Sequence, residues 1–428
     1  MTRWYVDWSL AAGSPNVTGV SRVARELVRN VGANPGRAEP MDAGVVICDS
    51  RLCPRSKRSP PPTPSQSPAR HLRAAARRVD EWLRDHAPAL ESLLTRAVMA
   101  AGGIPAFGQQ TAVADGPPID FRPGDVVVLA DGTWSVPGWK PAVVAAKAQG
   151  ARVVPLIYDL LTWSHPQFFA PLFCAQFKQW LLDMVPLADA FICISQATAD
   201  SLRQFALAEG LADLLPPVGV FPLGTDLSPA ATEPRLEVAA VFAKYARPFL
   251  MVGTIEPRKN HVLVLDAFER AWAAGASSPL VVIGRRGWQC EGTLRRLEWL
   301  AASGKAFIHI GDATDADLQY AYRRARCLLF PSVAEGFGLP IVEALALGTP
   351  AIASDIPVHR EVGGNHAAYI PLGDPAHLAH LLLSIENGST VLTAPAPGAV
   401  RLRTWAESAL ALETEIHRLL TPARPECI

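Results

Sequence analysis

Short apolar runs recur along the chain, and between them apolar residues fall at intervals of three and four. In the first half the runs are WYVDWS, GVVICD, DVVVLAD, RVVPLIYD and AFICIS; in the second they are PFLMVG, PLVVIG, AFIHIG, RCLLFP and PAIAS. Runs that are apolar without alternation fit strands buried on both faces, and such strands separated by helical stretches build parallel sheets. The pattern predicts an α/β chain of two doubly wound, Rossmann-like domains of similar size. The proline- and alanine-rich stretch around 222–248 is the expected division, giving domains over 1–225 and 226–403 and a final helical segment over 404–428. Neither half carries the G-x-G-x-x-G fingerprint of a dinucleotide site, which argues against a simple dehydrogenase. Open α/β sheets bind ligands at the carboxyl ends of their strands. Two such domains facing each other predict a central cleft with the active site in it.

The densest chemistry lies at 331–348, PSVAEGFGLPIVEALALG. Glu335 sits in a glycine-bracketed turn, and Glu343 follows eight residues later inside a short helix. Pro340 suits the first helical position and Gly348 the position just past the end. The run CLLF before the turn reads as a buried strand. Strand, glycine turn and helix N-terminus together offer free backbone N–H groups and the positive end of a helix dipole, which suits an anion such as phosphate. Gly336 and Gly338 permit close approach of a ligand to the backbone. Taken singly, Glu343 reads equally as a first-turn acid complementing the dipole and Glu335 as a solvated loop charge. The combination points instead to a ligand with both phosphate and hydroxyls, such as a sugar nucleotide. A second constellation lies in MVGTIEPRKN. The strand ends at Gly253, Asn260 is a suitable N-cap, and Val264, Phe268 and Trp272 stripe a helix that Gly275 closes. Arg258 and Lys259 are then loop cations suited to a diphosphate, with arginine able to hold two oxygens at once.

These motifs, with GDATDADLQYAYRRARCLLFPS (311–332) and more weakly TGVSRVARELV and VVPLIYDLLTWSHPQFF, resemble the family 4 retaining glycosyltransferases of GT-B fold, O-antigen and capsule mannosyltransferases among them. The match runs almost throughout the C-terminal half and in patches before it. The resemblance implies that Glu335 contacts the donor sugar, Glu343 the ribose hydroxyls, and Arg258 and Lys259 the diphosphate. Gly253, Gly336, Phe337, Gly338 and Leu339 complete the donor site, with Phe337 and Gly338 offering backbone N–H groups. Thr18 and Gly19, in the loop after the first strand, are expected to close over the diphosphate. The last helix is expected to cross back to the first domain. Many relatives place a histidine before an aspartate at the reacting sugar; here the pair is Tyr158 and Asp159, which a polysaccharide-building branch shares. Tyrosine can donate a hydrogen bond but is a poor general base at neutral pH.

Composition narrows the classes. Of 428 residues, 49% are apolar and 19% charged, so large cores are affordable and global disorder is excluded. The net charge of zero gives no pointer to nucleic acid. Seven scattered cysteines without a C-x-x-C pair indicate neither a disulfide framework nor a zinc site, and Cys193 and Cys327 read as small core residues. No signal peptide or membrane span is legible, so a cytoplasmic protein is expected. Asp312, Asp315 and Asp317 tempt one toward a metal site, but Thr314 or Asp315 fits an N-cap and Asp317 a first helical turn. No metal and no cofactor are expected. The stretch 51–68, rich in proline, serine and basic residues, reads as a flexible insertion. The arginine-rich helical stretch after it is either a surface helix with a solvated basic face or a peripheral dock for anionic membrane.

The function expected is thus a retaining, metal-independent transfer of a hexose, such as mannose from GDP-mannose. The donor is a nucleotide-diphosphate sugar, and the acceptor is a glycan or a lipid-linked species in surface polysaccharide synthesis. A non-catalytic sugar-nucleotide-binding subunit of a polysaccharide assembly is the alternative.

Overall fold

In the computed structural model the described residues are 2–7, 9, 19–31, 44–48, 51–54, 117–225, 233–245, 247–393, 395, 400 and 402–421. The chain divides into two compact units, Met1–Gly224 with Trp405–Ile428, and Thr225–Thr404.

The first unit runs β1 (Trp4–Asp7), α1 (Gly19–Asn30), β2 (Gly44–Cys48), β3 (Arg51–Pro54), β4 (Val126–Leu129), α2 (Trp139–Ala148), β5 (Arg152–Ile157), α3 (Leu161–Ser164), α4 (Pro171–Met184), β6 (Phe191–Cys193), α5 (Gln196–Ala208) and β7 (Val218–Val220). Its strands lie in the order β3-β2-β1-β4-β5-β6-β7. Every pair is parallel except β2 with β3. The VVVL run of β4 is buried along its whole length, as a strand covered on both faces must be. Two differences from the sequence reading appear here. Arg51–Pro54, expected as the start of a flexible insertion, is an antiparallel edge strand that places Leu52 and Cys53 in the interior. Gly19, expected in a loop, is the first residue of helix α1. Thr18 and the basic stretch beyond Pro54 lie outside the described residues.

The second unit runs α6 (Leu236–Lys244), β8 (Phe249–Val252), α7 (His261–Ala273), β9 (Leu280–Ile283), α8 (Glu291–Ala302), β10 (Phe307–Ile310), α9 (Asp315–Arg324), β11 (Cys327–Phe330), α10 (Leu339–Ala346), β12 (Ala351–Ser354), α11 (Pro357–Gly363), β13 (Ala367–Ile370) and α12 (Pro375–Glu386). All its strands are parallel, in the order β10-β9-β8-β11-β12-β13. The order reverses between β8 and β11, so the loops leaving their carboxyl ends diverge and open a crevice there. One face of this sheet is covered by α7, whose Val264, Phe268 and Trp272 are buried as their spacing requires. Asn260 precedes that helix as expected, but in the left-handed conformation with φ 58° and with no side-chain cap. Cys193 and Cys327 are core residues, and burial raises both thiols well above their usual range.

The chain then returns. Helix α13 (Trp405–Leu420) packs against α1 and β7 of the first unit, burying Trp405, Ala409, Leu412 and Ile416. His417 meets Trp4 edge-on with ring centroids 5.1 Å apart. Among the described residues no helix is long and apolar enough to cross a membrane.

The β8–β9 ladder continues past both strands. Gly253 N–H donates to the Ile283 carbonyl at 3.0 Å, Ile255 N–H to the Arg285 carbonyl at 2.8 Å, and Gly287 N–H to the Ile255 carbonyl at 3.1 Å. Two glycines make this possible. A Cβ on Gly284 would sit 1.9 Å from the Gly253 carbonyl oxygen, and one on Gly287 2.7 Å from that of Ile255. A Gly284→Ala substitution should therefore lie at or beyond the upper end of the ~0.5–3 kcal/mol cost of ordinary substitutions, read by denaturant unfolding, because backbone and not a flexible side chain must yield.

Candidate active site

The crevice of the second unit is built by the loops after β8 and β11. The first turns through a short 3₁₀ segment, Pro257–Lys259, that presents Arg258 and Lys259. The second is the glycine turn carrying Glu335, which ends at helix α10. The two loops are joined by backbone: Val333 N–H donates to the Arg258 carbonyl at 2.7 Å. Side chains complete the join. Arg258 Nη1 lies 2.6 Å from Glu335 Oε2 and donates to the Ala334 carbonyl at 3.2 Å. Its Nη2 pairs with Glu256 Oε1 at 2.7 Å. Lys259 Nζ pairs with Glu335 Oε1 and sits 5.0 Å from the centroid of the Phe330 ring, whose face favours a cation. Gly253 lies beneath the Lys259 stem, where a Cβ would be 3.6 Å from its Cδ.

All four charged groups are largely withdrawn from water. Side-chain exposure is 18% for Arg258, 12% for Lys259, 8% for Glu335 and 2% for Glu256. Burial alone would raise the Glu335 carboxyl, but Lys259 and Arg258 hold it down at about 2. Burial lowers the Lys259 ammonium, with Glu335 opposing. Glu256 moves the other way: burial raises its carboxyl, against Arg258 and Lys259.

Helix α10 begins after Gly338, which takes φ 111°, and no side chain caps it. Leu339 is its first residue, and Pro340 falls one position later than expected. Gly348, just past its end, has φ 77° as a closing glycine should. Glu343 lies within the helix, buried, and its Oε2 accepts from the Tyr322 hydroxyl at 3.0 Å. Tyr322 is held by helix α9. There Thr314 and Asp317 form a reciprocal capping box, and Asp317 also takes 2.8 and 2.7 Å bonds from the Arg235 N–H and Nε. Of the aspartates that tempted a metal reading, Asp317 thus caps a helix and Asp315 is its first residue. Among the described residues no group of three or more His, Cys, Asp or Glu is placed to hold a metal.

Glu256, Tyr322 and His359 were missed in the sequence. His359 is fully buried under the turn. Its ring lies 5.2 Å from that of Phe330, and its Cδ2 is among the neighbours a Cβ on Gly338 would meet, at 3.6 Å. Only Tyr322 left a signal, a tyrosine at a buried helix position whose hydroxyl must find a partner.

In the first unit the order also reverses beside β1, between β1 and β4, and acids gather there. Asp7 is wholly buried and accepts from the Ser9 hydroxyl, the Ser9 N–H at 3.1 Å and the Thr133 hydroxyl at 3.0 Å. Burial first, and then the neighbouring Asp131 charge, push the Asp7 carboxyl up to about 7. Tyr158 is buried, and its hydroxyl donates to the Ala130 carbonyl at 2.6 Å. Burial, Asp131 and Asp7 keep the phenol protonated far above neutral pH. Its proton is therefore spent on the sheet and not offered to a ligand. Asp159 accepts from the Leu161 N–H at 3.0 Å.

Solved structures share this fold of two doubly wound sheets. Sucrose-phosphate synthase from Thermosynechococcus elongatus superposes with a TM-score of 0.58 over 99% of this chain and 100% of that one, at 17% identity. Anabaena Alr3699/HepE in complex with UDP gives 0.53 over 98% and 97%, also at 17%. The model of the glycosyl transferases group 1 family matches residues 239–394. A serotype-specific mannosyltransferase, WbdA, from Escherichia coli is 31% identical over 306 residues, 68% of this chain and 37% of the relative. The O-antigen chain mannosyltransferase B of Escherichia coli is 33% identical over 159 residues, 37% of this chain and 42% of the relative. The chain thus spans well under half the length of these relatives. The residues that the family model matches include Glu335 and Glu343.

Two expected outcomes follow from these side chains. Tyr158→Phe removes the donor to a buried carbonyl and should cost about 1–2 kcal/mol in denaturant unfolding. The second concerns pH. Burial, and then Lys259, lower the His261 imidazole from 6.5 to about 3, and burial lowers His359 to about 4. Below pH 6.5 the unfolded chain takes up protons that the folded one refuses, so stability falls as pH drops through that window. The slope is at most roughly 1.4 kcal/mol per pH unit per histidine. Unfolding at pH 7 and pH 5 should show a smaller loss for His261→Leu than for the parent.

Proposed function

We propose that the protein is a retaining, metal-independent glycosyltransferase. It moves a hexose from a nucleotide-diphosphate sugar to a glycan or lipid-linked acceptor in the synthesis of a surface polysaccharide. The observation that carries this reading is the pairing of Arg258 and Lys259 with Glu335 beside the uncapped start of α10. A leaving nucleoside diphosphate needs its growing charge stabilised, and two buried cations beside a helix N-terminus supply that. The same groups make a divalent ion unnecessary. In this reading Glu335 meets the donor sugar and Glu343, steadied by Tyr322, the ribose hydroxyls. Phe337 and Gly338 offer backbone N–H groups, and the departing phosphate accepts the acceptor proton on the face where the new bond forms, which retains the anomeric configuration. Mannose from GDP-mannose is the favoured donor, since relatives of the chain are named mannosyltransferases.

The test is turnover of purified protein with a panel of sugar nucleotides, GDP-mannose and UDP-glucose among them, with and without EDTA. GDP-mannose should be consumed, EDTA should leave the rate intact, and the anomeric proton of the product should show retention. Glu335→Ala should lower the rate by roughly 10²-fold or more. Arg258→Ala should weaken calorimetric binding of the nucleoside diphosphate far more than that of the nucleoside. Equal losses for the two ligands would mean that the cation does not touch the diphosphate, and restoration of an EDTA-killed rate by manganese would overturn metal independence.

A further inference from the structure

Arg258 and Lys259 are matched one for one by Glu256 and Glu335, so the buried group of four has no net charge. Glu335 spends both carboxylate oxygens on the two cations. A diphosphate brings at least two further negative charges to the same cations, and buried charge without compensation is costly. One carboxylate has to give way. Glu256 is fixed, because the N–H and carbonyl of Ile255 beside it are both locked into the extended β8–β9 ladder. Glu335 stands in a turn flanked by Gly336 and by Gly338 at φ 111°, where glycine leaves the backbone latitude that other residues lack.

We propose that Glu335 competes with the diphosphate for Arg258 and Lys259, and by doing so makes the site select a sugar nucleotide over the nucleoside diphosphate it is converted to. The inference rests on the reading of this site given above. When a sugar nucleotide enters, the displaced carboxylate finds the hydroxyls of the hexose as new donors. When the bare nucleoside diphosphate enters, Glu335 loses two charge-assisted bonds and gains nothing. The spent product is thus bound more weakly than its phosphates alone would allow, and it is released for the next cycle. Glu335 acts twice, once on the sugar and once as the rival of the leaving group.

Calorimetry with GDP and GDP-mannose, and with UDP and UDP-glucose as a second pair, tests this on wild type, Glu335→Gln and Glu335→Ala. The glutamine is nearly isosteric and removes only the charge; the alanine removes the rival altogether. Both variants should bind the nucleoside diphosphate tighter than wild type, by about tenfold or more, and the preference for the sugar nucleotide should shrink accordingly. Turnover should fall in both, so tighter product binding with slower chemistry is the signature. Unchanged or weaker nucleoside diphosphate binding in both variants, with wild type binding normally, would overturn this proposal alone. Failure of wild type to bind either pair would overturn the functional reading beneath it.

Discussion

Arg258 bridges two carboxylates that stand on different loops, and the second unit depends on that bridge. Its guanidinium meets Glu256 at 2.7 Å and Glu335 at 2.6 Å, while its own carbonyl receives the Val333 N–H. The loops after β8 and β11 are therefore one construction. Burial raises the Glu256 carboxyl and the guanidinium opposes that first; at Glu335 it adds to Lys259 in keeping the carboxylate ionised. With it, an ionised group of four survives at the mouth of an otherwise apolar sheet. A planar fork with several fixed donors can do this; the point charge of a lysine could not reach both acids and a carbonyl together.

The two units share a sheet order and differ in charge. At the reversal point of the second, two cations face two ionised acids. At that of the first, Asp7 accepts from the hydroxyls of Ser9 and Thr133, and burial and the neighbouring Asp131 charge push its carboxyl up. Topology places a crevice at the carboxyl ends in both cases. Side chains then decide what each crevice can hold, which is why fold alone does not assign chemistry.

Much of this was legible in the chain. VVVL, FLMV, LVVI and CLLF announce buried parallel strands because nothing polar interrupts them, and the glycine turn announces a helix start suited to an anion. What escaped had a physical reason in each case. Val218–Val220 and Ala367–Ile370 are short, with glycine or alanine in place of bulky residues, so neither stands out from its surroundings. Arg51–Pro54 sits at the edge of a proline-rich tract whose composition masks it. Glu256 was visible beside Arg258, but nothing local reveals that it is buried, since its environment is set by Arg285 and Gly287 of the neighbouring strand's loop. Tyr158 could be placed at a strand end, yet the direction of its hydroxyl depends on Ala130, 28 residues earlier. Pairing across large separations is the part that a one-dimensional reading cannot supply.

Helix α13 has a consequence for the way the molecule is made. The first unit is discontinuous: Trp405 fills the space beside Gly224, where even a Cβ would come within 2.4 Å of the indole, and Glu415 and Leu419 fill that beside Gly219. The whole of Thr225–Thr404 is synthesised between the body of that unit and its closing helix. Domains ordinarily fold in the order in which they leave the ribosome. Here that order is inverted for completion. The later unit has all of its strands before the earlier one receives its last helix, and until then the groove between α1 and β7 that will take Trp405, Leu412 and Ile416 stays open. Docking of α13 is thus the step that completes the first unit.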